Sequence, residues 1–76
     1  MSFFLSELPI GSQAIIKDIR ITSKIKRRIL DLGFIPGSKI RAIQTSPFGD
    51  PRAYKVKNTV IAIRNKDAKQ IEIERT

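Results

Sequence analysis

The sequence predicts a mainly β protein, a small five-stranded barrel with one α-helix inserted after the first strand. Three observations lead there. Five short segments alternate apolar with polar residues or form compact β-branched runs bounded by turn residues, while one segment repeats its apolar residues at helical period. The chain has 76 residues, enough for one small domain over 1–76 and too few for a second. It has no cysteine, so packing of its apolar residues, 14 of them isoleucine, must supply stability. Closing five short strands into a barrel also removes the aggregation-prone edges of an open sheet.

At the N-terminus, Phe3, Phe4, Leu5 and Leu8 can line one face of a short helix, which either packs on the domain, the favoured reading because no lysine or arginine precedes Lys17, or anchors to a membrane. After Pro9 and Gly11, "SQAIIKDIRI" reads as the first strand, with Ile15, Lys17, Ile19 and Ile21 on one face and Ala14, Ile16 and Asp18 on the other. "TSKIKRRILDLG" follows with Ile21, Ile25, Ile29 and Leu32 at i, i+4, i+8 and i+11, an apolar helical stripe. Thr22 or Ser23 caps its start through a side-chain oxygen, and Gly33 ends it in the left-handed conformation, which lets Phe34 pack back on Ile29. Pro36-Gly37 then fits the central positions of a type II turn.

"SKIRAIQ" reads as the second strand and "SPFGDP" as a connection stiffened by Pro47 and Pro51, with Gly49 as its turn residue. "RAYKVK" forms the third strand, with Arg52, Tyr54 and Val56 on one face, and a turn at Asn58-Thr59 leads into the fourth, "VIAIR". Asn65 to Lys69 resembles a single helical turn. In the last strand, Ile71 and Ile73 alternate with Glu72 and Glu74.

The residue inventory argues against catalysis. Without histidine or cysteine the chain lacks the usual base and thiol nucleophile, and Asp18, Asp31, Asp50 and Asp67 are isolated in sequence. Gly33, Gly37 and Gly49 do not have phosphate-loop spacing. No enzyme, cofactor or metal site is expected. The longest uncharged run, Leu8 to Ile16, is nine residues and too short to cross a bilayer. The opening "MSFFLSELP" lacks the basic region of a secretory signal, so an intracellular location is expected.

Fifteen lysines and arginines against seven acidic residues give a net charge of +8, which favours acidic partners. Lys24, Lys26, Arg27 and Arg28, with Asp31 as the one acid, make a basic helix face that either docks on an anionic surface or is solvated, with Arg27 paired to Asp31. Arg52, Lys55 and Lys57 interleave with Tyr54 after Phe48, a pattern compatible with a nucleic-acid-binding small barrel, although Tyr54 also fits a barrel interior. Phe48, between Pro47 and Gly49, is either an exposed contact or, the favoured reading, a cap on the open end of the barrel. The candidate partner-contact residues are Arg27, Arg28, Phe34 and Ile35 at the helix end, and Phe48, Asp50 and Arg52 around the Pro-flanked loop, because both groups set apolar residues beside charge.

Taken together, "KRRILDLGFIPGSKI" (Lys26 to Ile40), "SPFGDPRAYKV" (Ser46 to Val56) and "IAIRNKDAKQIEI" (Ile61 to Ile73) closely resemble the ferrous iron transport protein A (FeoA) family. "LPIGSQAII" at Leu8 to Ile16 resembles that family's opening strand, so the resemblance spans nearly the whole chain; Ile29 and Ile63 stand where leucine is common. The resemblance implies an SH3-like barrel with a helical insertion. It also implies a small cytoplasmic accessory protein of bacterial ferrous iron uptake, non-enzymatic, placed at the inner membrane through its partner. That partner would be the GTP-binding cytoplasmic region of the membrane transporter, ferrous iron transport protein B. Transition-metal binding is a further implication of the resemblance.

The residues themselves offer a metal only oxygen ligands on a strongly cationic chain, which suits Fe(II) and Zn(II) poorly. Calorimetric titration of the metal-free monomer with either ion should show only weak, non-stoichiometric binding. A stoichiometric site tighter than micromolar would overturn that expectation.

Overall fold

The computed structural model describes residues 2–22 and 24–76. Six strands form one antiparallel sheet: β1 (Ser2–Phe4), β2 (Gln13–Ile19), β3 (Lys39–Thr45), β4 (Arg52–Val56), β5 (Thr59–Ile63) and β6 (Ile71–Arg75), in spatial order β1-β6-β2-β3-β4-β5. Helix α1 (Ile25–Asp31) lies between β2 and β3, and the single-turn α2 (Asn65–Ala68) lies between β5 and β6. The fold is mainly β, as the sequence predicts, with one strand beyond the five expected.

That strand replaces the expected N-terminal helix. Phe3 pairs with Ile73 and Phe4 with Glu72, so β6, which also pairs with β2, is covered on both sides. A 3₁₀ turn over Leu5–Glu7 follows, closed by the Phe4 N–H donating to the Glu7 carboxylate at 2.8 Å. Pairing with an available strand satisfies the backbone of a segment too short to sustain a helix in water.

In β2 the expected alternation breaks midway. Ala14 and Ile16 are buried, Lys17 and Asp18 are both exposed, and Ile19 is buried again. The register against β6 shifts between Ile16 and Asp18, a bulge that flips the phase and returns Ile19 to the core face opposite Ile71. Ile15 and Lys17 therefore do not share a face with Ile19 as the sequence pattern suggests.

The start of α1 also departs from expectation. Lys24 is the N-cap and makes no side-chain cap bond, so Thr22 does not serve, and Ser23 lies outside the described residues. At the other end, the Phe34 N–H donates to the Ile29 carbonyl and the Gly33 N–H to the Leu30 carbonyl, both at 3.0 Å, which is a Schellman motif with Gly33 at φ +97°. The motif turns Phe34 into the core beside Ile29, while Leu32, expected on the buried stripe, is left 37% exposed.

The next turn, Ile35 to Ser38, is type II: the Ser38 N–H donates to the Ile35 carbonyl at 3.0 Å, and Gly37 has φ +94°. Gly37 N–H and Ser38 carbonyl then bond the carbonyl and N–H of Ile16, so the turn is stitched to β2 and sets the start of β3. The β4–β5 turn falls on Lys57 and Asn58, one residue earlier than expected, with Lys57 at φ +54°. The Asp50-Pro51 peptide is cis.

One apolar cluster fills the interior, including Leu5, Leu8, Ile16, Ile29, Phe34, Ile40, Tyr54, Ile63, Ile71 and Ile73. The sheet curls around it, and Arg52 clasps the curl: its guanidinium donates from Nη1 to the Ser6 carbonyl at 2.9 Å and from Nη2 to the Leu8 carbonyl, tying β4 to the segment just after β1. The same guanidinium sits 5.5 Å from the centroid of the Tyr54 ring. The Tyr54 hydroxyl is buried and meets no hydrogen-bonding partner among the described residues. Burial pushes its phenol above the usual range, with the Arg52 cation opposing the rise and the Asp50 carboxylate adding to it.

Replacement of Gly37 by valine should cost roughly 1 to 3 kcal/mol through backbone strain alone, because no atom lies within 4 Å of the site a Cβ would take. Equal melting midpoints for the two proteins would remove the turn's role. Tyr54→Phe should keep stability or raise it by about 1 kcal/mol, since it deletes a buried unpaired hydroxyl. A phenol that ionises later when folded leaves the unfolded chain with fewer bound protons above pH ~10, so stability falls as pH rises from there. Denaturant melts across that range should show a shallower alkaline decline for Tyr54→Phe; identical slopes would contradict the assignment.

Candidate partner-binding surface

The structure divides the sequence-derived contact residues into two groups. Arg27 and Arg28 are exposed on α1, and Arg27 faces Asp31 at 4.0 Å in a solvent-exposed i,i+4 pair that holds neither tightly. Ile35 is 46% exposed at the start of the type II turn. Phe48 is 96% exposed, which overturns its reading as a barrel cap. The Gly49 N–H closes a turn onto the Ser46 carbonyl at 2.9 Å and carries the ring out past the hairpin, while Leu5, Leu8 and Tyr54 fill the interior instead.

The other three residues build the fold. Phe34 is 1% exposed, because the Schellman turn directs it inward, and it offers no contact surface. Arg52 is engaged with the Ser6 and Leu8 carbonyls. The Asp50 carboxylate accepts the Asn65 N–H at 2.9 Å, satisfying a donor at the start of α2 that Arg64, its N-cap, leaves without a side-chain partner. Tyr54, at 0% exposure, cannot stack a base, so the nucleic-acid reading keeps only Phe48 of its two aromatics.

The sequence names Lys55 and Lys57 but not the cationic group they join with Lys39 and Arg41. Arg41 pairs directly with Lys55 across the β3–β4 ladder, and Lys39 and Lys57 flank them around a groove of about 410 Å³ that also includes Gln13 and Ile40. Arg41 donates to the Gln13 amide oxygen at 3.3 Å, and among the described residues none of the four cations has a carboxylate partner. Like charges placed opposite each other cost stability, so this face is electrostatically unfilled. A second groove, lined by Ile35, Pro36, Gly37, Ser38, Lys39, Val56 and Lys57, joins it to the exposed turn. The signal could not be read from spacing, since Arg41 and Lys55 meet only once the hairpin register is known.

Among the described residues no three acidic side chains gather, and two carboxylates that share a partner, Asp18 and Glu72, are both bonded to Arg20, at 3.3 and 2.7 Å. A cation bound there would have to displace a guanidinium. No described helix is long and apolar enough to cross a membrane.

Comparison with known proteins adds a consistent set of relatives. Over 70 residues the chain is 37% identical to an Fe(2+) transport protein A/Fe(2+) transporter FeoB fusion protein of Porphyromonas gingivalis, covering 92% of this chain and 8% of the fusion's length. The solution structure of FeoA from Chlorobium tepidum superposes with a TM-score of 0.90 at 27% identity, covering 96% of this chain and 70% of that one. The crystal structure of Stenotrophomonas maltophilia FeoA complexed with zinc, described as an SH3 domain protein, gives a TM-score of 0.76 at 32% identity over 95% of this chain and 89% of that one. The FeoA domain model matches residues 4–75. With nearly every residue inside that match and the SH3-like architecture shared, the chain belongs to the FeoA family.

Proposed function

We propose that this protein is a cytoplasmic, non-enzymatic module of ferrous iron uptake that docks on the GTP-binding cytoplasmic region of the iron transporter. The observation that carries the reading is the Porphyromonas gingivalis fusion, in which a relative of this chain and the transporter are one polypeptide. Tethering turns a weak encounter into an intramolecular one at high effective concentration, an arrangement suited to modules that act on each other. The surface supports a binding role: a net charge of +8, exposed Arg27 and Arg28, and the apolar Ile35 and Phe48 held clear of the core. Asp18, Asp31 and Glu72 each face an arginine and Asp50 accepts a backbone N–H, contacts that suit structural roles for these four carboxylates.

The reading is tested by surface-binding kinetics against the isolated cytoplasmic domain of the transporter. Arg27→Glu combined with Arg28→Glu should slow association by about tenfold or more at low salt, because exposed charge acts mainly on encounter rate. Phe48→Ala should leave association unchanged and speed dissociation, since an apolar anchor acts after contact. Circular dichroism identifies any variant that has lost its fold. Folded variants that bind like the parent would remove both patches, and absence of parental binding would remove the docking partner.

A further inference from the structure

Strand β5 is the last in the sheet order and, among the described residues, pairs only with β4. Which of its backbone groups are free follows from the alternation of an antiparallel ladder. On β3, the Ala42 N–H donates to the Ser12 carbonyl at 3.0 Å and the Ala42 carbonyl accepts the Gly11 N–H at 2.7 Å, so Ala42 is bonded toward β2. Its neighbour Arg41 is therefore bonded toward β4, where its ladder partner is Lys55. Lys55 faces β3, which leaves Tyr54 and Val56 to bond Ile61 and Thr59 of β5. The N–H and C=O groups of Val60 and Ala62 consequently point away from the sheet.

The edge lacks the devices that usually guard one. From Thr59 to Ile63 there is no charge, no proline and no register shift, and Val60 is 53% exposed. In front of it lies a groove of about 410 Å³ between β5 and α1, lined by Ile25, Arg28, Ile29, Val60, Ile61 and Ala62. An edge strand beside a helix, with apolar residues between them, is the arrangement by which peptide-binding domains take an extended segment as an added strand. The charge selects the segment. Arg28 is in the groove wall, Lys57 and Arg64 flank the two ends of β5, and no carboxylate lines the space.

We propose that the β5 edge and α1 together form a docking groove for an extended segment of alternating apolar and acidic residues from a partner protein. The segment adds as a seventh strand through the backbone of Val60 and Ala62, seats its apolar side chains on the α1 side against Ile25 and Ile61, and sets carboxylates within reach of Arg28. This deepens the function proposed above by naming the kind of segment the partner presents. A second copy of the chain fits less well, because it would bring another +8 molecule and another Lys57 and Arg64 to the same edge.

The test uses the full chain and a synthetic octapeptide of alternating valine and glutamate, read by amide hydrogen exchange. The peptide should saturably slow exchange at Val60 and Ala62 by at least tenfold, with the already bonded Ile61 little changed. Val60→Pro removes an outward N–H at a position where an edge strand tolerates proline, and it should abolish the effect. The same peptide N-methylated on alternate residues tests the bonds without touching the fold and should not protect. Arg28→Glu should weaken binding of the glutamate peptide and strengthen that of a valine–lysine counterpart. Unchanged exchange at millimolar peptide, equal protection by the methylated peptide, or equal binding of the two charged peptides would each overturn the proposal. So would sedimentation showing that the edge is occupied by self-association. Peptide binding without transporter binding would leave the groove standing and remove only the transporter as its partner.

Discussion

The guanidinium of Arg52 donates to the carbonyls of Ser6 and Leu8, although β6, β2 and β3 separate its strand, β4, from β1 in the sheet. A sheet of six short strands must curl if its isoleucines are to leave water, yet the ladder never closes, because β1 and β5 remain its two ends. The clasp supplies closure across that opening. Hydrogen bonds to a charged donor contribute about 1.5 to 3 kcal/mol each, and the Tyr54 ring beneath the guanidinium adds a cation–π contact. The bonded carbonyls belong to the segment that carries Leu5 and Leu8, so the same contact seats two fully buried leucines.

Curling without closing has a consequence for function. The N-terminal end of the order, β1, is only three residues long, so it offers little to a passing strand. At the other end β5 keeps two outward-facing residues beside α1, and the helix is held at that distance by the Schellman turn at Gly33 and the Gly37 turn stitched to Ile16. Core packing and surface availability are therefore coupled. Phe34 and Ile29 anchor the inner side of the α1 connection, which leaves Arg27, Arg28 and Ile35 on its outer side.

The distribution of charge follows the same division. Acidic groups are largely absorbed by structure: Glu7 closes the 3₁₀ turn, Asp50 serves α2, and Glu72 holds Arg20 at 2.7 Å and Lys17 at 3.9 Å. Cations exceed them, and much of the surplus lies on two surfaces, the α1 face and the β3–β4 face around Arg41 and Lys55. Local repulsion of this kind is relieved by an acidic partner more effectively than by mobile salt, which screens without making contacts.

Sequence alone determined the elements whose causes are local. Helical period placed α1, glycine chemistry placed the turns at Gly33 and Gly37, and the alternation of Ile71 and Ile73 with glutamates placed β6, because each depends on residues within one turn or one strand. The same local reading failed wherever a distant segment intervened. Pairing with β6 made Ser2–Phe4 a strand, and the bulge between Ile16 and Asp18 reversed a face that strict alternation had assigned. Tertiary structure likewise decided among residues of one chemical type: Phe34 is buried and Phe48 exposed, while Arg52 is bound to carbonyls and Arg28 is exposed. Period and turn chemistry specify where a side chain points relative to its own backbone, whereas burial, hydrogen-bond partners and the meeting of Arg41 with Lys55 depend on how strands far apart in sequence align, which no local pattern contains.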